Sequence, residues 1–139
     1  MTRVVVDASV AIKWFVPEIY SVSAQRLLHA DFELLAPDLI VAEVGNVLWK
    51  KTQRGEIGAD DGADIIRDFK RFPIQVYASD SLAELAWELA VRFDRTFYDS
   101  LYLALARSQD CSVVTADRRF YNSLQETPLS HSLVWVEDL

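Results

Sequence analysis

Short apolar segments alternate with segments of helical periodicity along the whole chain. The apolar segments, which predict buried strands, are residues 4–6, 33–36, 74–77, 112–115 and 133–136. Such alternation is typical of an α/β domain with a mostly parallel sheet. No internal repeat, low-complexity tract or linker divides the 139 residues, and that length suits one domain. We therefore predict a single α/β domain over residues 1–139, with helices flanking the sheet.

Residues that favour helix starts separate the strands from the predicted helices. Ser9, Asp38, Ser81 and Thr96 are predicted as N-terminal caps, and Ser81 forms a capping-box pattern with Glu84. Val22, Leu27 and Leu28 are predicted to face inward from their helix. The predicted helices are a short one between Ser9 and Pro17, followed by residues 21–30, 38–54, 60–71, 81–93 and 98–108.

Composition limits the class of protein. Cys111 is the only cysteine, so it cannot form an internal disulfide, which fits a reducing compartment. The first residues do not form a signal-peptide pattern, and no stretch reaches the roughly 18 uncharged residues of a membrane span. We therefore expect a cytoplasmic protein without membrane segments. The net charge of −7 argues against a nucleic-acid partner, but only if all 21 acidic residues are free.

Two carboxylates, Asp7 and Asp117, follow predicted strands directly or nearly so. Ligand sites of open α/β sheets form outside the carboxyl ends of the strands, near the point where the strand order reverses. If the first strand is central and the strand at residues 112–115 is its neighbour, these two side chains lie close together. The alternative for either residue is an ordinary turn or helix cap.

Glu43 and Asp99 lie on predicted helices. Glu43 interrupts an otherwise apolar helix, where an unpaired buried carboxylate is strongly unfavourable and needs a cation, a basic partner or a proton. The alternative is that this helix face is solvated, since Asn46 shares it. Asp99 follows Thr96 at a helix start, where it serves either as part of a capping box or as a carboxylate directed into a site.

The four carboxylates together are more informative than each alone. Clustered carboxylates repel one another unless cations neutralise them. A set of oxygen ligands without an organised His or Cys favours Mg²⁺ or Mn²⁺ over zinc. His29 and His131 receive no catalytic role, because one ends a helix and the other lies in a loop. We therefore predict one acidic metal site built from Asp7, Glu43, Asp99 and Asp117.

Four short motifs in order resemble those of PIN-domain nucleases. They are Val-Val-Val-Asp-Ala-Ser at residues 4–9, Ala-Glu-Val-Gly-Asn-Val-Leu at 42–48, Tyr-Asp-Ser-Leu-Tyr-Leu-Ala-Leu-Ala at 98–106 and Val-Thr-Ala-Asp at 114–117. The chain's size is similar to that of VapC-type toxins of toxin–antitoxin pairs. The resemblance implies a five-stranded parallel sheet, Mg²⁺-dependent cleavage of RNA, a homodimer, and a small antitoxin that masks the site.

The resemblance also implies roles for particular residues. Asp7 and Asp99 are expected as direct ligands of one or two Mg²⁺ ions, about 3.5–4 Å apart if there are two. Ser9 and Thr115 are assigned to hydrogen bonds with the ligands; the alternatives are a helix cap for Ser9 and ordinary β-propensity for Thr115. Water would attack phosphorus, and the products would carry a 5′-phosphate and a 3′-hydroxyl.

RNA also needs positively charged contacts outside an acidic centre. Arg118 and Arg119 are the leading candidates because they adjoin Asp117, although basic residues at helix ends also complement the helix dipole. The further basic candidates are Lys50, Lys51, Arg54, Arg92 and Arg95.

Among the aromatic residues, some are assigned to the core and others to a contact surface for a partner. The core aromatics are Phe69, Phe93 and Trp135. The contact-surface aromatics are Trp14, Phe15 and Trp49.

Other classes of protein fit the sequence less well. A haloacid dehalogenase-type phosphotransferase requires a second Asp where this chain has Ser9, and a receiver domain requires a late lysine, whereas the last lysine here is Lys70. A housekeeping RNA-processing nuclease and a catalytically silent PIN-fold binding module remain as alternatives to a toxin. A silent module usually loses acidic residues, and this chain keeps all four.

Overall fold

The valines near the start of the chain form the middle strand of the sheet. A computed structural model describes all 139 residues, and its five strands run parallel in the order β3-β2-β1-β4-β5. Val5 pairs with Leu35 on one side and Val113 on the other. The strands are β1 (Thr2–Val6), β2 (Phe32–Pro37), β3 (Ile74–Tyr77), β4 (Ser112–Thr115) and β5 (Leu133–Trp135). The predicted α/β fold with a five-stranded parallel sheet is thereby confirmed.

Seven α-helices connect and cover the strands. In the third, Ile40, Val44 and Leu48 recur at the helical repeat and are buried, so this helix presents one apolar face to the core. Gly55 ends that helix region with a φ of 72°, which glycine adopts without steric cost. The helices are α1 (Ala8–Ala11), α2 (Ser21–Gln25), α3 (Leu39–Gln53), α4 (Ala59–Lys70), α5 (Ser79–Phe93), α6 (Phe97–Ser108) and α7 (Arg118–Ser123).

Two predicted helix starts are wrong. Ser9 lies inside α1, and its hydroxyl donates to the Asp7 carboxylate instead of capping the helix. Ser81 lies inside α5, where its hydroxyl donates to the Ala78 carbonyl, so the predicted capping box does not form. In both cases the hydroxyl that the local pattern assigned to a cap donates to a different acceptor instead. For Ser9 that acceptor is Asp7, a residue of the candidate site.

The segment at 21–30 is also shorter and more irregular than predicted. Its α-helix ends at Gln25 and continues as a 3₁₀ turn over Arg26–Leu28. Of the three residues predicted inward, Leu27 is buried as predicted, whereas Val22 and Leu28 are exposed. The 3₁₀ turn changes the angular spacing of the side chains, so the 3.6-residue period no longer identifies the buried face.

The three aromatic residues predicted to form a contact surface differ in how exposed they are. The Trp14 ring stacks on Phe72 with a centroid separation of 4.9 Å, and Phe15 packs edge-on against Phe72 at 5.3 Å. Both side chains are therefore partly buried and pack against the core. Trp49 is 58% exposed, as that assignment requires. No helix combines the length and the apolar character that crossing a bilayer demands.

Candidate active site

The four predicted carboxylates surround one cleft. Its volume is about 510 Å³, and it opens where β1 lies between β2 and β4, which is where the strand order reverses. Asp7 follows β1, Asp117 follows β4, Glu43 projects from α3, and Asp99 projects from the first turn of α6. Four segments distant in sequence therefore contribute one carboxylate each to a common cavity wall.

Asp7 is the most buried of the four, at 8% exposure. Its Oδ2 atom accepts hydrogen bonds from Thr115 Oγ1 at 2.7 Å and from Ser9 Oγ at 2.8 Å. Burial raises the pKa of Asp7 from 3.8 to about 6; the Thr115 and Ser9 hydrogen bonds lower it, and the Asp117 and Asp99 carboxylates raise it. The two hydroxyls therefore fix the orientation of a carboxylate that the site itself disfavours as an anion.

The two hydroxyls also join α1 to the end of β4. Ser9 Oγ accepts from the Ala116 N–H at 3.0 Å, and Thr115 Oγ1 accepts from the Asp117 N–H at 3.0 Å. Because each hydroxyl donates to Asp7 while accepting from the backbone, its proton can point only one way. This network couples the position of Asp7 to the chain segment that leads to Asp117.

Glu43 is held by a tyrosine of α6. The buried Tyr102 hydroxyl donates to Glu43 Oε1 at 2.6 Å. Burial raises the pKa of Glu43 to about 6; the Tyr102 hydrogen bond lowers it, and the Asp7, Asp99 and Asp117 carboxylates raise it. The same surroundings, burial first, raise the pKa of the Tyr102 hydroxyl, which keeps it protonated as a donor.

Asp99 has an arginine as its direct partner. Arg95 Nη2 lies 2.9 Å from Asp99 Oδ2, and both side chains are mostly shielded from solvent. Thr96 caps α6 by accepting from the Asp99 N–H at 3.0 Å, as predicted, but the Asp99 carboxylate does not return a bond to Thr96. Only half of the capping box forms, and the Asp99 carboxylate remains on the cleft wall.

Asp117 performs the ordinary structural role as well as lining the cleft. Its Oδ1 atom accepts from the Arg119 N–H at 3.0 Å and from the Phe120 N–H at 3.2 Å, which caps α7. The capping alternative considered for this residue is thus present in the structure. Since one carboxylate oxygen serves the cap, the other remains for the cleft.

The carboxylates are arranged around the cleft rather than in contact. As the side chains stand, no three acidic, histidine or cysteine side chains are close enough to bind one ion together. The donor set nevertheless fits Mg²⁺, which keeps several of its waters and is usually bound through one or two carboxylates. Burial first, and the neighbouring carboxylates after it, raise the pKa values of Asp7 and Glu43, and a cation in the cleft would favour their charged forms.

The basic residues proposed from sequence as RNA contacts have different surroundings. Lys51 pairs with Glu18 at 3.0 Å and Arg95 pairs with Asp99, so both are engaged inside the protein. The Arg118 guanidinium lies over the Trp135 ring at 3.6 Å from its centroid, while Arg119 is exposed. Lys50 alone among the basic residues lines the cleft.

Sequence reasoning assigned no role to Tyr102 and misjudged Arg95. Tyr102 lies three residues after Asp99, so the two share a face of α6, and that spacing was the available signal. Arg95 lies four residues before Asp99, the spacing of a helical ion pair, although it precedes the helix. The spacing places Tyr102 and Arg95 near Asp99. It cannot reveal the bond from Tyr102 to Glu43, because Glu43 belongs to a helix distant in sequence.

The protein is an α/β protein with an acidic cleft at the topological switch point of its sheet, beyond the carboxyl ends of β1 and β4. The sequence model of the PIN domain matches residues 4–123, which is most of the chain. The chain belongs to the PIN domain family.

Curated relatives carry VapC names. The chain is 33% identical over 119 residues to ribonuclease VapC3 of Pyrobaculum aerophilum, a match that covers 84% of this chain and 91% of the relative. It is also 33% identical over 122 residues to ribonuclease VapC9 of Mycobacterium tuberculosis, covering 88% of this chain and 91% of the relative. Both proteins are named as ribonucleases.

Solved structures share the fold over nearly the whole chain. The crystal structure of PAE2754 from Pyrobaculum aerophilum aligns with a TM-score of 0.72 and 24% identity, covering 98% of this chain and 85% of that chain. A toxin–antitoxin complex from Klebsiella pneumoniae contains a chain that aligns with a TM-score of 0.67 and 12% identity, covering 98% and 99%. At these identities the likeness establishes the fold.

Proposed function

We propose that this protein is a metal-dependent endoribonuclease that hydrolyses RNA phosphodiester bonds, and that it is the toxin of a toxin–antitoxin pair. The observation that carries the proposal is the meeting of Asp7, Glu43, Asp99 and Asp117 around one cleft in a PIN-domain chain. Relatives of similar length named as ribonucleases support the activity.

The four acidic residues are proposed to share the work of holding a metal. Asp7 and Asp99 are proposed to hold Mg²⁺, or alternatively Mn²⁺, directly, with Glu43 and Asp117 completing the charge of the site. When bound, the metal would supply Lewis acidity, which makes a water more nucleophilic and stabilises the oxyanion that leaves phosphorus. Thr115 and Ser9 orient Asp7, and Tyr102 orients Glu43, so that the carboxylates are positioned before substrate arrives.

Cleavage of a labelled total-RNA pool tests the activity. Purified protein is compared with Mg²⁺ and with EDTA, beside an Asp7→Asn variant that keeps the shape of the side chain. Discrete Mg²⁺-dependent cuts that vanish in the variant are expected. Absence of cutting by inhibitor-free protein that binds Mg²⁺ would instead favour a silent binding module, and equal cutting by the variant would place the activity outside the cleft.

A small antitoxin and a second copy of the chain are the proposed protein partners. The solved toxin–antitoxin complex with the same fold supports the antitoxin, and the 58% exposed Trp49 on α3 is available for a contact. The test is growth of cells that express the wild-type chain or Asp7→Asn, with and without the product of an adjacent small gene. Growth arrest that requires Asp7 and is relieved by that product would support a toxin; harmless expression with intact RNA-cutting activity would favour a housekeeping nuclease.

A further inference from the structure

Asp99 differs from the other carboxylates of the cleft because its partner is charged. The other three are held by neutral donors, which are serine, threonine and tyrosine hydroxyls and backbone N–H groups. Arg95 instead brings a guanidinium to Asp99, with Arg95 Nη2 2.9 Å from Asp99 Oδ2. A neutral donor orients a carboxylate and leaves its charge in place. A guanidinium, which stays protonated, also offsets that charge.

Arg95 reaches Asp99 from outside the cleft wall. Asp99 lines the cleft and Arg95 does not. Arg95 lies in the short connection between α5 and α6, directly after Asp94, whose φ of 52° turns the chain at that point. The guanidinium bonds to Oδ2 of Asp99, while Oδ1 accepts no hydrogen bond from the protein. A cation in the cleft and the Arg95 guanidinium would therefore share one carboxylate.

The contact between Arg95 and Asp99 is a weak structural bond. A single nitrogen–oxygen contact joins the two side chains, instead of the two parallel contacts of a bidentate pair. Arg95 Nε is buried and has no acceptor in the protein, which is unfavourable. A partly exposed pair of this kind contributes little to stability. We therefore expect the main effect of Arg95 on the charge of the cleft.

No other positive group is paired with the four carboxylates. Lys50 is the only basic residue on the cleft wall, and it forms no ion pair with any of them. Together with Arg95, the four carboxylates leave three formal negative charges. The attraction for a divalent cation falls with each negative charge that is offset. Arg95 is thus placed to set how strongly the cleft attracts a metal.

We propose that Arg95 is a positioning residue that holds Asp99 as the internal counter-charge of the cleft, and that it thereby lowers the affinity of the cleft for a divalent cation. This inference rests on the proposed metal-dependent function and concerns the regulation of that same site. Repulsion between a guanidinium and a divalent ion that share one carboxylate corresponds to roughly 10-fold in affinity, even near the dielectric constant of water. Occupancy of a site weakened in this way follows the supply of free metal.

Binding of Mn²⁺ to the purified full chain, without RNA, measures the effect. Electron paramagnetic resonance of free Mn²⁺ gives both the affinity and the number of ions bound. Arg95→Gln removes the charge and keeps an N–H donor, and it should bind Mn²⁺ about 10-fold more tightly than wild type. Arg95→Lys keeps the charge, so its affinity should stay within about threefold of wild type.

Arg67→Gln is the matched control. Arg67 also pairs with an aspartate, Asp64, but both side chains are exposed on α4 and lie off the cleft wall. This substitution changes the net charge of the chain by the same amount as Arg95→Gln. It should leave the affinity for Mn²⁺ unchanged, because solvent screens a charge that is distant from the cleft.

The direction of the change separates a charge effect from simple orientation of the side chain. If Arg95 only fixed the position of Asp99, Arg95→Gln would bind Mn²⁺ as wild type does or more weakly, and that result would overturn the proposal. Equal tightening in Arg67→Gln would overturn it as well, since net charge alone would then explain the result. Absence of Mn²⁺ binding in both wild type and Arg95→Gln counts against it equally.

A second neutral variant guards against a failure to fold. Arg95→Met removes the charge and keeps a long apolar stem, and it should also bind Mn²⁺ more tightly than wild type. Circular dichroism melts in EDTA establish which variants are folded. Loss of the folded state in both neutral variants, with Arg95→Lys folded, would show that the ion pair is structural and would contradict the proposal.

RNA cleavage by the same proteins separates this inference from the proposed ribonuclease function. If Arg95→Gln binds Mn²⁺ more tightly but the wild-type chain never cuts RNA, the ribonuclease function fails and the role of Arg95 stands. If the wild-type chain cuts RNA and Arg95→Gln binds Mn²⁺ no more tightly, the role of Arg95 fails and the ribonuclease function stands. If both proposals hold, Arg95→Gln should reach half-maximal cleavage at about 10-fold less Mn²⁺ than wild type.

Discussion

Replacing Asp7 by Asn should stabilise the metal-free protein at neutral pH. Burial raises the pKa of Asp7 from 3.8 to about 6 in the folded state. A difference of about two pKa units corresponds to roughly 3 kcal/mol between the protonation states. The Asn side chain keeps an oxygen that can accept from Thr115 and Ser9, but it carries no charge that burial and neighbouring carboxylates disfavour.

The sign of the effect sets its pH dependence. Because the folded pKa of Asp7 is raised, the associated stability is fully present below pH 3.8 and is lost as the pH rises through about 6. The Asp7→Asn variant has no carboxylate at this position, so it does not lose this stability as the pH rises. The variant and the wild type should therefore have similar stability near pH 4, and the variant should be more stable by up to about 3 kcal/mol near pH 8.

Thermal unfolding in EDTA, followed by circular dichroism, measures this difference. For a chain of this length 1 kcal/mol shifts Tm by roughly 3–4 °C, so the expected gain at pH 8 is about 10 °C. Asp31→Asn, at an exposed residue away from the cleft, is the matched control and should show no such pH-dependent gain. An Asp7→Asn protein that is no more stable than wild type at pH 8 would refute the argument that burial of this carboxylate is costly.

Three further substitutions test single contacts of the site. Tyr102→Phe removes the hydrogen bond to Glu43 and should lower activity or Mg²⁺ affinity by roughly 10-fold or more, while the far-ultraviolet circular dichroism spectrum stays unchanged. Unaltered Mg²⁺ affinity by calorimetry together with unaltered kcat would contradict this role of Tyr102. Thr115→Val removes one donor to Asp7, and denaturant titration should show a loss of about 1 kcal/mol with reduced cleavage; full activity would argue that Ser9 alone suffices. Asp117→Asn retains the α7 cap and should lose activity without losing stability, whereas Asp117→Ala should also lose about 1 kcal/mol in a thermal melt; equal stability of the two would show that the cap contributes nothing.

The strands and the meeting of the acidic residues were predictable because they depend on pattern and topology. The strands at residues 74–77 and 112–115 have the predicted bounds. Asp7 and Asp117 are brought together by the parallel sheet, because the carboxyl ends of neighbouring parallel strands lie at one edge. That inference needed only the order of the strands and not the position of any side chain.

Hydrogen-bond and ion-pair partners from distant segments were not predictable. Lys51 was assigned to RNA because nothing local reveals that it lies 3.0 Å from Glu18. For Ser9 the sequence left two roles open, a helix cap and a hydrogen bond to a ligand; its hydroxyl donates to Asp7, beside the Thr115 hydroxyl that β4 supplies. The interactions of a side chain depend on all the groups around it. The local sequence reveals only the groups on the same helix or strand.

The hydrogen bond from Thr115 to Asp7 spans 108 positions of the chain. β4 must insert beside β1 before this bond can form, so a growing polypeptide that already contains Asp7, Glu43 and Asp99 still lacks one of the two hydroxyls that orient Asp7. At about 5–20 residues per second, the ribosome needs roughly 5–20 s to pass from one of these residues to the other. The order of synthesis thus delays assembly of the cleft until most of the polypeptide exists, and a nascent chain spends that interval without a complete acidic cleft.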